Sequence, residues 1–389
     1  MNDFVKRNVY LDNNATTKPY KEVIDEMLPF FTDKFANSSS ILYEPGIINN
    51  RHLSVYRFMI AKTLDCKPNN IYFTSSGSES NNWALKGFAF ANKNKGNHII
   101  TSKIEHPSIL NTCKFLETIG FEVTYIGVNK EGIINIDELK NSITNKTILI
   151  SIMTVNNEVG SIQPIEEIGK IAKEKNIIFH TDAVQAIGNL EIQLGLFDER
   201  NIFKYVDMMS MSAHKFHGPK GVGILYIKDG IEVENLIHGG SQEYNKRAST
   251  TNLPGIAGCA IALKKSVYDI NNKIDKISKL RDLLIEGIKN DIKDCKLNGP
   301  IYNRVCNNVN YSFNTDVNDL IKFLSLMGIY VSHGSACSHN LLDTSYVLYA
   351  MHNTIFESTN SIRFSLSYET TEEDIKYTLK ILNKYFNHK

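Results

Sequence analysis

The feature that most constrains the fold is an alternation of short apolar runs and helix-like stretches between about residues 70 and 230. The apolar runs are continuous, which is typical of strands buried on both faces. Strands interleaved with helices form parallel sheets that are covered by helices on both sides. We therefore predict an α/β fold with a mostly parallel sheet. The predicted strands are Ile71–Thr74, His98–Ser102, Phe121–Ile126, Thr147–Met153, Ile177–His180, Val206–Ser210 and Val222–Ile227.

The pattern changes after about residue 255, where an apolar stripe at helical spacing runs to about residue 290. The last predicted helix opens with Thr370 and Glu373, which have the spacing of a capping box. We therefore predict a large domain at residues 15–256 and a smaller α+β domain at residues 257–389, on which the first 14 residues pack. Shorter elements are predicted near Val309–Phe313 (strand), Asp319–Met327 (helix) and Ile362–Leu366 (strand).

Composition excludes several classes of protein. The formal net charge is +1 without a block of like charge, so nucleic-acid binding is not indicated. No apolar run approaches the ~20 residues that span a bilayer, and the start does not resemble a signal peptide. The six cysteines form no C-x-x-C pair, which argues against a metal site and a disulfide framework. We therefore predict a cytoplasmic protein that binds neither metal nor membrane.

Polar side chains follow five of the seven predicted strands. Ligands bind at the carboxyl ends of the strands in open parallel sheets, so these side chains can serve one ligand. The segments are Ser75–Ser80, Glu105-His106, Asn156–Glu158, Asp182 to Gln185, and Ser212–Lys215.

Each of these groups also has a purely structural interpretation. The serine–glycine turn can cap a helix without binding an anion. His106 can be a satisfied structural residue, and Asp182 can cap the next helix. Lys215 fits poorly as a surface lysine, because a short segment punctuated by glycine and proline holds it between two apolar strands. The set as a whole is better explained by one bound ligand than by separate caps.

Pyridoxal phosphate chemistry uses such groups together. A lysine forms a Schiff base with the aldehyde of the cofactor. A carboxylate beside the pyridine nitrogen keeps it protonated, so that the ring accepts electrons from the substrate. Backbone N–H groups and hydroxyls at a helix start hold the phosphate, and an imidazole stacks on the ring. Lys215, Asp182, the serine turn and His106 match these four requirements.

Short motifs along the chain are similar to those of one enzyme family. They are LDNNATT at residues 11–17, EH at 105–106, VNNEVG at 155–160, HTDAVQ at 180–185, HK at 214–215, RAST at 247–250, GSAC at 334–337 and SIRFS at 361–365. In this order they resemble the motifs of the cysteine desulfurases, which are fold-type I pyridoxal-phosphate enzymes of the class V aminotransferase superfamily. The resemblance covers nearly the whole chain.

The resemblance implies a role for each matching position. Lys215 would form the Schiff base and move the substrate proton, His106 would assist proton transfer, and Cys337 would attack the substrate sulfur. Thr250 would reach the cofactor of the partner subunit, which implies a homodimer. Cofactor contacts are implied for Gly77, Ser78, His106, Asn157, Asp182, Gln185, Ser212, His214, Lys215 and Thr250. Substrate contacts are implied for Asn37, Asn157 and Arg363, of which Arg363 would bind the carboxylate with its planar fork.

Cys337 also has physical arguments of its own. Its neighbours are small and polar, as in an exposed loop, and such a loop suits a thiol that collects sulfur and delivers it elsewhere. His333 or His339 can help to stabilise the thiolate. The alternative is an unreactive surface thiol, which the matching motif argues against. The other five cysteines lie in or beside helical or strand patterns, and we interpret them as structural.

Four positions depart from the pattern usual in the family. Many relatives have proline at the position of Ser38 and histidine at that of Tyr43, whereas serine is usual at His333 and common at Ala213. These departures affect fine specificity and the loops more than the reaction.

We predict a cysteine desulfurase that converts L-cysteine to L-alanine and leaves a persulfide on Cys337. The sulfur would pass to an acceptor, such as an iron–sulfur scaffold protein or tRNA thiolation. The alternatives are a selenocysteine lyase, another pyridoxal-phosphate transferase, and a non-catalytic sulfur-relay protein. The cysteine motif argues against an aminotransferase, and the intact Lys215, Asp182 and His106 argue against a loss of chemistry.

Overall fold

The structure is a computed structural model that describes residues 7–195, 201–334, 344–351 and 354–387. Its strands are β1 (Val9–Tyr10), β2 (Ile71–Thr74), β3 (His98–Ser102), β4 (Glu122–Ile126), β5 (Thr147–Ser151), β6 (Ile178–Asp182), β7 (Met208–Ser212), β8 (Gly223–Ile227), β9 (Cys295–Leu297), β10 (Asn308–Phe313), β11 (Ile329–Tyr330) and β12 (Ser361–Ser365). Its α-helices are Lys21–Met27, Glu44–Thr63, Gly77–Asn82, Phe88–Ala91, Pro107–Thr118, Ile136–Ser142, Ile165–Glu174, Gln242–Asn245, Leu253–Val267, Ile270–Asp291, Val317–Leu326, Tyr346–Ala350, Ile355–Thr359 and Glu372–Asn387.

Seven strands form the main sheet in the order β2-β8-β7-β6-β5-β3-β4. Six of them share one direction, and β8 runs antiparallel to both of its neighbours. The predicted mostly parallel α/β sheet is therefore confirmed. The reversal of β8 was not predicted, because a strand buried on both faces carries no mark of its direction.

Helices cover both faces of this sheet. Successive residues of a strand point to opposite faces, so Ile99 and Ile100 belong to different apolar clusters. Ile99 packs in the cluster that includes residues of helix Pro107–Thr118, and Ile100 packs in the one that includes residues of helix Ile165–Glu174. This burial on both faces accounts for the continuous apolar runs in the sequence.

A third apolar cluster surrounds the sheet β12-β10-β9, which is antiparallel throughout. Helices Ile270–Asp291, Val317–Leu326 and Glu372–Asn387 pack on it. Helix Leu253–Val267 contributes instead to one of the two clusters of the main sheet. The domain division at residue 257 stays a prediction, and we propose that the change of core falls between this helix and the one that begins at Ile270.

The N-terminal segment reaches the third cluster. β1 pairs in parallel with β11, and Val9 and Leu11 are buried among the apolar residues of that cluster. The predicted capping box of the last helix was wrong by one residue. Thr371 and Asp374 exchange the two side chain–backbone bonds, at 3.2 and 3.0 Å, because the helix begins at Glu372.

No helix within the described residues combines the length and the apolar character that a membrane crossing requires.

Candidate active site

A cavity of about 200 Å³ lies at the carboxyl ends of the parallel strands. Ten residues that the sequence analysis singled out line it: Gly77, Ser78, His106, Asn157, Asp182, Gln185, Ser212, His214, Lys215 and Arg363. The strand-end segments are thus brought together around one space, as parallel strand direction requires.

Two predicted site residues of the described chain lie elsewhere. Thr250 is exposed in a separate depression beside Arg247, which is consistent with a role toward a partner subunit. Asn37 is exposed on the loop before helix Glu44–Thr63, where its side-chain oxygen accepts a bond from the Ser39 N–H at 2.9 Å. Cys337 lies outside the described residues.

Asp182 ends β6 with its carboxylate held by two donors. Oδ1 accepts from the backbone N–H of Val184 at 2.9 Å, and Oδ2 accepts from Nδ2 of Asn81 at 2.7 Å. The strand runs two residues further than predicted, which places this carboxylate at the edge of the cavity. Two fixed donors orient the group and leave its remaining lone pairs for a cationic N–H.

The helix that begins at Gly77 presents its first turn to the cavity. Its N-cap Ser76 accepts a bond from the Glu79 N–H at 3.2 Å, while the other first-turn amides have no acceptor within the helix. A Cβ on Gly77 would lie 2.8 Å from a methyl carbon of Val184 and 3.3 Å from Cβ of Ser212. A side chain at position 77 would crowd Val184 and Ser212, and the helix start is suited to an anion such as a phosphate.

Lys215 is half-buried between β7 and β8. Its Nζ donates to the carbonyl oxygen of Ala15 at 2.8 Å and to that of Asn14. Nε2 of Gln185 donates to the same Asn14 oxygen at 3.0 Å. The N-terminal motif, to whose residues no role was assigned from the sequence, thus supplies the acceptors that hold the lysine in the cavity.

His106 is oriented by Ser108, the second residue of helix Pro107–Thr118. The backbone N–H of Ser108 donates to Nδ1 at 3.1 Å, so this nitrogen is the unprotonated one and Nε2 carries the proton of the neutral ring. Burial lowers the pKa of His106, and Lys215 lowers it further, whereas Asp182 raises it. A neutral imidazole with a fixed ring plane suits both stacking and proton transfer.

Arg363 lies in the middle of β12 with 1% of its surface exposed. Nη1 donates to the carbonyl oxygen of Asn157 at 3.0 Å, and Nη2 donates to Oδ1 of Asp12 at 2.8 Å. Nε of Arg363 and Oδ1 of Asn157 are buried without a hydrogen-bond partner among the described residues. Unpaired buried polar atoms are costly, so both atoms fit a polar ligand in the cavity.

Buried histidines beside the site make stability depend on pH. His180 lies between the hydroxyls of Ser151 and Ser210, at 2.9 Å from each, and burial lowers its pKa to about 3. The unfolded chain takes up this proton near pH 6.5, whereas the folded protein does not. We expect His180 to remove up to about 1.4 kcal/mol of unfolding free energy per pH unit below pH 6.5. The urea midpoint of unfolding should therefore fall more steeply between pH 7 and pH 5 in the parent than in His180→Asn. The same pH dependence of the midpoint in both proteins would contradict this.

The sequence missed several cavity residues, of which Asn14 and Asn81 are the most informative. Both hold other site residues: Nδ2 of Asn14 donates to the Asn157 carbonyl at 3.1 Å, and Asn81 holds Asp182. Asn81 lies one turn after Gly77, on the helical spacing that returns to the same face. That spacing is the signal that would have found it.

A lysine, a fixed carboxylate, a glycine-started helix and unpaired polar atoms around one cavity define a pyridoxal-phosphate enzyme of the aminotransferase type. The family model of class-V aminotransferases matches residues 9–378. Cysteine desulfurase IscS of Clostridium botulinum is 49% identical over 383 residues, which cover 98% of this chain and 94% of the relative. Its counterpart from Methanosarcina thermophila is 47% identical over 378 residues, covering 96% and 91%.

Solved structures agree with these relatives. A NifS-like protein superposes with a TM-score of 0.91 at 39% identity, covering 98% of this chain and 100% of that one. SspA in complex with cysteine superposes with a TM-score of 0.81 at 36% identity, covering 93% and 100%. The chain therefore belongs to the class-V aminotransferase family, and within it to the pyridoxal-phosphate-dependent cysteine desulfurases.

Proposed function

We propose that the enzyme takes sulfur from free L-cysteine onto Cys337 and releases L-alanine. The observation that carries this proposal is the buried Nε of Arg363, which lacks an acceptor in the cavity that also contains Lys215 and Asp182. An amino-acid carboxylate is an acceptor of the geometry that a guanidinium edge matches. A related solved structure, SspA, holds cysteine.

The proposed cofactor contacts follow from the cavity. Asp182 would hold the protonated pyridine nitrogen, His106 would stack on the ring, and the first turn after Gly77 would hold the phosphate. Ser212, which lies beside Gly77, and His214 line the same cavity and would add polar contacts to the phosphate. When bound, pyridoxal phosphate supplies an electron sink for the substrate's alpha carbon.

Lys215 would move protons on the substrate. Its ammonium group now donates to two carbonyl oxygens of the N-terminal segment. As the neutral amine it would take the alpha proton of cysteine, and it would later return a proton to the carbon that loses sulfur. Arg363 would hold the carboxylate throughout, so that the alpha carbon stays within reach of the lysine.

Cys337 would accept the sulfur as a thiolate. The new S–S bond forms between Cys337 and the substrate sulfur, and the C–S bond breaks with its electron pair ending on carbon. That carbon takes a proton and becomes the methyl group of alanine. One cysteine and one enzyme thiol thus give one alanine and one enzyme persulfide. We propose that the persulfide passes to an acceptor such as an iron–sulfur scaffold protein or a tRNA-thiolation protein.

Replacing Cys337 with serine tests the proposal. The variant should keep the visible absorption band of the cofactor and the spectral change on adding cysteine, but form no persulfide, because serine cannot accept sulfur. Persulfide is measured by mass spectrometry of the labelled peptide and alanine by amino-acid analysis. Cys295→Ser, which changes a half-buried thiol on β9, is the matched control and should behave as the parent. Parent-level sulfide release by Cys337→Ser would refute the nucleophile assignment.

We further propose a homodimer in the cytoplasm. Thr250 is exposed outside the cavity of its own chain, as expected if it acts in that of a partner. Large apolar side chains are exposed around helix Glu44–Thr63, among them Phe35 at 78% and Leu42 at 92%, and exposed apolar patches are typical of interfaces. The five cysteines of the described residues are free thiols, which fits a reducing compartment.

A further inference from the structure

Glu158 is a buried carboxylate to which the reaction above gives no role. It is 1% exposed, and its Oε2 accepts a hydrogen bond from the hydroxyl of Ser345 at 2.6 Å. Gly334 lies against the same oxygen, since a Cβ on this glycine would be 3.3 Å from Oε2 and 3.8 Å from Cβ of Ser345. Gly334 and Ser345 lie three positions before and eight positions after position 337. One carboxylate thus meets the chain on both sides of the cysteine.

The two residues before Gly334 form hydrogen bonds with β12, the strand that carries Arg363. Ser332 and Arg363 exchange backbone hydrogen bonds, with the Arg363 N–H donating at 2.8 Å and the Ser332 N–H at 3.3 Å. Nδ1 of His333 lies 2.7 Å from the carbonyl oxygen of Ser361. The segment that leads to Gly334 therefore runs beside β12, next to Arg363, the residue that is proposed to hold the substrate.

Ser345 and the residue after it, Tyr346, are held by further hydrogen bonds. Ser345 caps helix Tyr346–Ala350, accepting a bond from the Leu348 N–H at 3.1 Å. The hydroxyl of Tyr346 donates to the carbonyl oxygen of Glu105 at 2.7 Å, directly before His106. Both sides are thus anchored next to proposed site residues, and Glu158 is the group they share.

Glu158 is itself rigidly placed. Its N–H donates to Oδ1 of Asn156 at 2.9 Å, and its carbonyl oxygen accepts from Nδ2 of Asn310 at 3.1 Å. Burial raises the pKa of its carboxyl, whereas the Ser345 hydroxyl, Arg363 and His333 lower it. These backbone bonds do not involve the carboxylate, so a side-chain replacement changes the anchor and leaves the backbone contacts in place.

We propose that Glu158 is a positioning residue that fixes the two ends of the segment carrying Cys337 beside Arg363. The inference rests on the proposed function, because it gives Cys337 the role of sulfur acceptor. Fixing both ends at one point raises the effective concentration of the thiol near the substrate, which speeds a step between the two. Glu158 then acts through Gly334 and Ser345, and it is not among the residues that line the cavity.

The experiment uses the cofactor-loaded enzyme and separates cysteine binding from sulfur transfer. In Glu158→Ala, persulfide formation in a single turnover should slow roughly tenfold, which is the size expected for losing one hydrogen bond. The cofactor band and the cysteine concentration that half-saturates the spectral change should stay as in the parent. Glu158→Gln should recover most of the rate, since its amide oxygen can still accept from Ser345.

Three further variants keep the test decisive. Ser345→Ala should reproduce the slowing. The double variant Glu158→Ala/Ser345→Ala should be no slower than the slower single variant, because each substitution already removes the Ser345–Glu158 hydrogen bond. Thr354→Ala is the matched control: it removes the N-cap of helix Ile355–Thr359, which does not involve Glu158, and should transfer sulfur at the parent rate. Amide exchange of residues 344–351 should be faster in Glu158→Ala and unchanged in Thr354→Ala.

Two results would overturn the inference. One is a parent rate of persulfide formation, with parent amide exchange, in both Glu158→Ala and Ser345→Ala. The other is a rate loss that comes with weaker cysteine binding or a lost cofactor band, which would assign Glu158 to the cavity itself. Failure of the proposed function shows separately, as parent-level sulfur release by Cys337→Ser with Glu158 intact.

Discussion

Lys215→Ala is expected to lose at least roughly 10⁴-fold in the rate of alanine formation, since it removes both the covalent attachment and the group that moves the substrate protons. No other lysine lines the cavity among the described residues. Without the side chain, the carbonyl oxygens of Asn14 and Ala15 also lose a common donor. The measurements are alanine formation and the mass of the protein after borohydride reduction. The parent should gain the mass of one cofactor, and the variant should gain none.

Lys220→Ala is the matched control, because this exposed lysine lies five positions further along the same segment. It should keep the parent rate and the parent mass increase. Alanine formation by Lys215→Ala above about 1% of the parent rate would mean that another group moves the protons, and would contradict the assignment.

Arg363→Lys is expected to weaken cysteine binding about a hundredfold, although the charge is kept. A guanidinium can hold Asn157, Asp12 and a substrate carboxylate at once, whereas an ammonium has only three donors on one atom and cannot present a planar edge. Charged hydrogen bonds are worth about 1.5–3 kcal/mol each, and about 2.7 kcal/mol corresponds to the expected loss. Titration of the spectral change with cysteine measures it.

Cysteamine, which lacks the carboxylate, sharpens this experiment. It should bind the parent and Arg363→Lys equally weakly, because the lost contact is to a group that it does not have. Arg281→Lys serves as the control: Arg281 also donates to backbone carbonyl oxygens, of Arg304 and Val305, but it lies outside the cavity. Equal weakening of cysteine and cysteamine in Arg363→Lys would show a general loss of the site.

Much of the fold could be predicted because burial on two faces leaves a plain mark in the sequence. The seven strands of the main sheet were found within two residues at each end, and polar residues that follow five of them meet in one cavity. Strand direction left no such mark, so β8 was not distinguished from its neighbours. The last helix was misplaced by one residue, since Thr370 and Thr371 offer the same hydroxyl at adjacent positions.

The site was harder to predict where its contacts join distant parts of the chain. Asn81 and Asp182 are 101 positions apart, and Lys215 and Asn14 are 201 apart. A local pattern can mark each residue as polar, but it does not say which two will meet. The resemblance to known enzymes supplied roles for Asp182 and Lys215, yet left the residues that orient them without a role.

The N-terminal segment pairs with β11 through β1 and contacts Lys215 through Asn14 and Ala15. This arrangement has a consequence for biosynthesis. The N–H of Asn14 donates to the hydroxyl of Ser365 at 2.9 Å, a contact between residues 351 positions apart. A chain emerging from the ribosome has the lysine and the aspartate long before it has β12, so the acceptors around Lys215 are not yet held in place. Long-range contacts of this kind form late. The cofactor therefore meets a finished binding site only when almost the whole polypeptide has been made.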